Sequence, residues 1–305
     1  MTSYRDVYYL SADGLRLHAR DYDQAPPGAF TVLCMPGLTR NARDFDSIAG
    51  RLAPRYRVVV AEQRGRGLSA YDPNPENYLP PIYVGDMIAL LDQLHLGKVA
   101  IIGTSLGGLL AMMLGAMQPD RFVGFLLNDV GPSVSVEGLE RIRAYIGRVP
   151  EVTTWEDAAR DIKEIFGAAF PAYEAADWDK AARALYRANE AGVPVLDHDP
   201  NIAVNFNKGP VEIPDLWPLF DALPKVPIAV VRGALSNLLT RETVEEMKRR
   251  RPDIIAAEVS NVGHAPTLDE PEAVELIERY LARISQSPGA GIASRGGDPA
   301  STFKG

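Results

Sequence analysis

Short apolar runs recur along this chain, separated by polar stretches rich in Gly, Pro, Asp and Asn. Residues 7–10 and 15–22 flank Asp13-Gly14, which predicts an antiparallel hairpin at the edge of a sheet. Further strands are predicted at 30–35, 57–62, 99–104, 122–129, 227–233 and 254–259, where β-branched and other apolar residues cluster. Between them the pattern predicts helices at 44–52, 81–94, 106–117, 240–250 and 270–285. Strands alternating with helices imply the α/β class: a mostly parallel, eight-stranded sheet flanked by helices on both faces.

The alternation breaks between Gly131 and Lys225. This stretch reads as helical and aromatic-rich, with Trp155, Phe166, Phe170, Tyr173, Trp178 and Tyr186, and no strand is predicted in it. It is expected to be a helical cap inserted into the sheet domain. The end of the chain, rich in Gly, Ser, Ala and Pro, has few apolar side chains to bury and is expected to be a disordered tail. The predicted organisation is a core over 1–130, a cap over 131–225, the rest of the core over 226–286 and a tail over 287–305.

Composition narrows the class. The 305 residues are 46% hydrophobic and 24% charged, ordinary for a soluble globular chain. A formal net charge of −8 argues against nucleic acid or an anionic membrane as partner. Cys34 is the only cysteine, which excludes an intrachain disulfide and a cysteine-based zinc cluster. The first residues lack the apolar core of a secretory signal, and no uncharged apolar run reaches the roughly 18 residues of a membrane span without polar interruption. A cytoplasmic protein acting on a small molecule, without metal or organic cofactor, is the expectation, and a homodimer is compatible with it.

Candidate chemistry centres on Gly103-Thr104-Ser105-Leu106-Gly107. An apolar strand precedes this Gly-x-Ser-x-Gly pattern and a helix follows it, so the serine sits on a sharp strand-to-helix turn that leaves no room for side chains beside it. Its hydroxyl is exposed there, and the backbone N–H of Leu106 points toward whatever it attacks. A serine needs a base to become a nucleophile. Of the four histidines, His18 lies in the edge hairpin, His95 ends a helix, and His198 lies in the cap between Asp197 and Asp199, in what reads as a solvated loop. His264, in Val262-Gly263-His264-Ala265-Pro266, follows the last strand at the edge of the sheet where Ser105 also sits. It is the natural base.

Several blocks in order resemble the α/β-hydrolases of the capped, single-domain kind, over roughly residues 5–286. Met35-Pro36-Gly37-Leu38 resembles the loop that supplies an oxyanion-hole N–H, with proline where relatives often carry histidine. Glu62-Gln63-Arg64-Gly65-Arg66-Gly67 resembles the structural loop after the next strand, which assigns Arg64 and Arg66 to scaffolding. The serine turn and the His264 region match in turn. The resemblance implies a nucleophile at Ser105, a base at His264 and oxyanion donors at the Leu38 and Leu106 N–H groups. Gly37, Arg40 and the cap residue Trp155 are the expected substrate contacts.

The third catalytic member departs from the pattern. Arg232-Gly233-Ala234-Leu235-Ser236-Asn237 resembles a stretch where relatives carry Ser-Asp, and here Asn237 stands in the place of the acid. Asparagine keeps the shape, loses the charge and can hold the imidazole in the wrong tautomer. Asp129, at the end of the strand after the nucleophile, is the other candidate, as in some members of the family; it also suits the turn Asp129-Val130-Gly131-Pro132. The close match of the flanking residues favours Asn237 at the contact. A serine hydrolase of a small, largely apolar carboxylic ester, thioester or lactone is the first expectation. A ligand-binding or signalling homologue with weak turnover, kept open by Asn237, and a carbon–carbon bond hydrolase are the alternatives.

Overall fold

Side chains that alternate from one face of a strand to the other build two cores on one sheet. The computed structural model describes residues 3–209 and 215–287. Val32, Cys34, Val58, Val60, Ala100 and Ile102 pack in one apolar cluster, whereas their neighbours Leu33, Met35, Val59, Ala61 and Ile101 pack in another. A sheet buried on both faces needs such continuous apolar strands. Burial also pushes the Cys34 thiol far above its ordinary pKa.

The strands are β1 (Arg5–Leu10), β2 (Arg16–Tyr22), β3 (Thr31–Met35), β4 (Arg57–Glu62), β5 (Val99–Thr104), β6 (Phe122–Asn128), β7 (Tyr186–Ala188), β8 (Pro194–Leu196), β9 (Ile228–Gly233) and β10 (Ile255–Val259). Eight form one sheet in the order β1-β2-β4-β3-β5-β6-β9-β10. The β1–β2–β4 pairings are antiparallel and the others parallel. This is the expected mostly parallel, eight-stranded sheet. From β3 the chain goes to β4 on one side and β5 on the other, so the strand order reverses there. Ligand sites of open α/β sheets lie at the carboxyl ends of the strands, at such a reversal.

The helices are α1 (Asp46–Leu52), α2 (Pro80–Gln93), α3 (Leu106–Met117), α4 (Val136–Tyr145), α5 (Trp155–Phe166), α6 (Ala175–Leu185), α7 (Ala203–Phe206), α8 (Trp217–Asp221), α9 (Arg241–Arg250) and α10 (Pro271–Gln286). Ile48, Ala49 and Leu52 of α1 and Leu276, Ile277, Tyr280 and Leu281 of α10 cover one face; apolar residues of α2, α3 and α9 cover the other. The expected start of the first helix at Asp44 is corrected. Residues Ala42–Phe45 form a tighter 3-10 turn, because the Asn41 side chain caps the Arg43 N–H at 3.0 Å.

Between β6 and β9 the chain leaves the sheet. Helices α5 and α6 pack there around Ala158, Ile162, Trp178, Ala182 and Leu185. The expectation of no strand in this stretch is corrected by the antiparallel pair β7–β8. Three residues per strand are too few to show a period; the turn is set by Asn189, whose side chain accepts the Ala191 and Val193 N–H groups, and by Gly192 at φ +79°. A backbone bridge from His198 to Arg66 ties this segment to the loop after β4. The tail expected over 287–305 falls, past Ser287, outside the described residues.

Candidate active site

Strand β5 delivers Ser105 to the carboxyl edge of the sheet at φ 51°, ψ −114°, a strained backbone for a residue with a side chain. Its neighbours over-determine that conformation. The Ser105 N–H donates to the Asn128 carbonyl at 3.0 Å, and its own carbonyl accepts from Gly108 and Leu109. A Cβ on Gly103 would fall 2.4 Å from the Gly107 carbonyl oxygen, and one on Gly107 only 2.0 Å from that of Met35. Both glycines are therefore steric requirements of the turn. Ser105 is also the N-cap of α3, whose first N–H groups have no partner within the helix.

His264 lies in the loop between β10 and α10, and three tethers aim it. Asn128 bridges with its side-chain amide from Thr104 Oγ1 (3.0 Å) to the Pro266 carbonyl (2.8 Å). The Gly263 N–H donates to the Ala169 carbonyl at 2.6 Å, and the Leu235 N–H to the Val262 carbonyl at 2.8 Å. So held, His264 Nε2 lies 2.9 Å from Ser105 Oγ, and Nδ1 lies 2.8 Å from Asp129 Oδ2.

Asp129 is fully buried, and each of its oxygens is engaged. Oδ1 accepts the Gly233 N–H at 2.8 Å, while Oδ2 accepts the Ser236 hydroxyl at 2.6 Å besides facing the imidazole. The Ser236 oxygen in turn accepts the Leu238 and Leu239 N–H groups. Hydrogen bonds to an ionised acceptor are among the strong ones, which suits a carboxylate with no water contact.

The expectation that Asn237 makes the imidazole contact is corrected. Strands β6 and β9 are neighbours, so the loops after both end beside His264. At Asp129 the backbone turns left-handed (φ 54°), which ends the strand one residue before the expected position. The loop after β9 contributes Ser236 as a support for Asp129, and Asn237 lines an adjoining cavity instead, its carbonyl accepting the Ser135 hydroxyl.

Other expected residues fall in several places. Gly37 is beside Ser105: a Cβ there would lie 3.8 Å from Ser105 Cβ. Arg40 neighbours Gly37, but its guanidinium forks onto Asp44 at 2.6 and 2.7 Å, so the expected substrate contact is already occupied. Trp155 is corrected as a substrate contact. It packs on the α5–α6 cluster, with the Arg183 guanidinium 4.6 Å over its ring. Arg64 and Arg66 match their scaffolding reading. Arg64 is buried against Asp13, Asp72 and Asp86, and Arg66 Nε holds the Leu38 carbonyl at 2.8 Å, in the loop expected to supply an oxyanion donor.

His198 overturns the solvated-loop reading. It is 6% exposed, its Nδ1 has no partner among the described groups, and burial together with the nearby Arg66 charge pulls its pKa down to about 4. His198 and Thr39 line a recess of about 20 Å³. Asn128 and Ser236 were not singled out in the sequence; a polar residue closing a strand before Asp129 and a serine before Asn237 are their only traces there. The larger cavity, about 240 Å³, is walled by His264, Asn237, Arg141, Glu137, Tyr145 and Phe166, among others.

The model of the alpha/beta hydrolase family matches residues 32–275. The chain is 36% identical over 283 residues to the 3-hydroxybutyrate-oligomer hydrolase of Cupriavidus necator, covering 90% of this chain and 96% of that one. It is 27% identical over 260 residues to an esterase of Mycobacterium tuberculosis, covering 82% of each. The crystal structure of an alpha/beta hydrolase from Novosphingobium aromaticivorans superimposes with a TM-score of 0.88 at 44% identity, covering 93% of this chain and 99% of that one.

Proposed function

The chain belongs to the α/β-hydrolase family, and from that premise we propose that it is a serine hydrolase of small carboxylic esters. The observation that carries this reading is the continuous line Ser105 Oγ, His264 Nε2, His264 Nδ1, Asp129 Oδ2, with contacts of 2.9 and 2.8 Å. Ser105 attacks the ester carbonyl while His264 takes its proton. Asp129 holds the imidazole with Nδ1 protonated, which leaves Nε2 free to accept. The N–H groups of Leu38 and Leu106 meet the oxyanion. His264 then protonates the leaving alcohol, and water clears the acyl-enzyme by the same route. The insertion between β6 and β9 acts as the cap that walls the substrate cavity.

An ester of a short hydroxy acid is the substrate class favoured within this reading. The relative at 36% identity is named for hydrolysis of 3-hydroxybutyrate oligomers, and a 240 Å³ cavity is smaller than the roughly 300–1,000 Å³ sites of drug-sized ligands. The alternative of a ligand-binding or signalling homologue with weak turnover rests on Asn237 orienting the base, whereas Asp129 makes that contact.

A panel of a short nitrophenyl ester, a 3-hydroxybutyrate dimer, a thioester, a lactone and a β-diketone tests the proposal. The expected result is fastest turnover of the oxygen esters, lost in Ser105→Ala. Retained turnover in Ser105→Ala would overturn it, and a preference for the diketone would replace ester cleavage with carbon–carbon cleavage.

A further inference from the structure

The cavity beside His264 has an uneven electrostatic wall. His264 lines it, while Ser105 and the loop at Gly37–Leu38 are not among its walls. In acyl transfer the imidazole hands its proton to the departing alcohol, so a cavity lined by the base residue is placed to receive that alcohol. Helix α4 contributes Arg141 to this wall. One Arg141 donor goes to the Ile165 carbonyl at 3.2 Å. Among the described residues it makes no ion pair, even with Glu137 one turn earlier on the same helix, so its charge remains available. Glu137 is the opposing charge in the same wall. Asn237, where an acid was expected, makes the wall beside the imidazole neutral. The carboxylate of Asp129 sits behind it, fully buried and engaged by protein donors.

We propose that this cavity is the leaving-group subsite and that Arg141 selects alcohols bearing a carboxylate, so that the enzyme prefers esters whose alcohol half is itself a hydroxy acid. The proposal rests on the ester-hydrolase reading. In the step it describes, Ser105 Oγ bonds to the ester carbonyl carbon and the bond from that carbon to the alcohol oxygen breaks. The alcohol oxygen takes the proton from His264 Nε2, and the released hydroxy acid leaves with its carboxylate against the Arg141 guanidinium. Water hydrolyses the acyl-enzyme. A planar guanidinium suits this role because its donors pair with both carboxylate oxygens at once. The neutral Asn237 suits it as well, since an aspartate there would repel the same group.

The test compares the linear dimer of 3-hydroxybutyrate, as free carboxylate, with its methyl ester, using the full-length enzyme. The expected wild-type ratio of kcat/KM, acid over methyl ester, is about two- to fivefold, the range for a solvent-exposed ion pair, because Arg141 is exposed. Arg141→Gln should bring the ratio close to one, acting through KM, and Arg141→Lys should restore part of it. Glu137→Gln should raise the ratio, and added salt should lower it. A structural effect of residue 141 would depress both substrates and leave their ratio in place. A wild-type ratio near one, or a ratio unmoved by Arg141→Gln, overturns the proposal. If either occurs while Ser105→Ala still abolishes cleavage of both dimers, the ester-hydrolase reading stands without this subsite. If wild-type enzyme cleaves neither the dimers nor a short nitrophenyl ester, both readings fall.

Discussion

Replacing Asp129 by asparagine changes one atom, and the surrounding hydrogen bonds dictate which way the amide must face. The Gly233 N–H, 2.8 Å from Oδ1, can only donate, so the amide oxygen stays there and the NH₂ takes the place of Oδ2. That group then donates toward His264 Nδ1, forcing the imidazole to carry its proton on Nε2, where it faces Ser105 Oγ. The base now presents a hydrogen to a hydroxyl whose proton it should take. The corresponding exchange in a serine protease costs about 10⁴ in kcat, or about 5 kcal/mol of barrier at 1.36 kcal/mol per decade. A second, smaller cost falls on the fold. The Ser236 hydroxyl loses its carboxylate acceptor at 2.6 Å, for about 1–3 kcal/mol.

The assay is steady-state hydrolysis of a short nitrophenyl ester, with urea unfolding of the same preparation to separate chemistry from stability. Asp129→Asn should lower kcat by about 10⁴ with KM little changed, while the unfolding midpoint falls only modestly. A loss of less than tenfold in a folded variant would refute the argument, because the amide could not then be setting the tautomer.

The other tests probe the neighbouring loop, the scaffold and one buried histidine. Asn237→Asp should give no steep gain on a neutral nitrophenyl ester, since Asp129 already holds Nδ1; a hundredfold rise would return the acid role to position 237. Arg64→Leu strands the buried Asp72 and Asp86 carboxylates and should destabilise by about 3–5 kcal/mol, read by urea unfolding; a shift below about 1 kcal/mol would mean the cluster is not holding the loop. Gly107→Ala should abolish activity or folding through its 2.0 Å clash with the Met35 backbone, whereas Gly14→Ala, at φ +84° with open space around it, should cost only about 1 kcal/mol; equal effects would contradict the steric reading. Because the folded pKa of His198 lies below its ordinary 6.5, near 4, its contribution is complete above pH 6.5 and lost as pH falls through 4. At 1.36 kcal/mol per unit it amounts to roughly 3 kcal/mol, so a His198→Gln variant should show a shallower acid limb of stability, and an identical limb would count against it.

What could be read in advance and what could not divide along sequence distance. The turn at Ser105 is local: two glycines, a strand before and a helix after specify it, and the two clashes at Gly103 and Gly107 are what those letters encode. The sheet was equally legible, since each strand carries its own apolar run and its own alternation between Cys34-side and Leu33-side neighbours. The acid was different. Asp129 and Asn237 end loops on adjacent strands, and either loop can reach one imidazole, so flanking similarity weighed toward the wrong one. The deciding facts are a left-handed backbone at Asp129 and a hydroxyl at Ser236 more than a hundred residues away that completes its shell. The same Asp129 that reads as a turn residue is a turn residue: the conformation that ends β6 is the one that swings the carboxylate beneath His264. The two meanings weighed for that position describe one geometry, and the β9 loop retains its Ser236 as a support while position 237 is left free to be neutral. That freedom makes the 237 position informative about substrate, because a carboxylate there would add negative charge to the cavity wall that, on the subsite proposal, the leaving acid approaches.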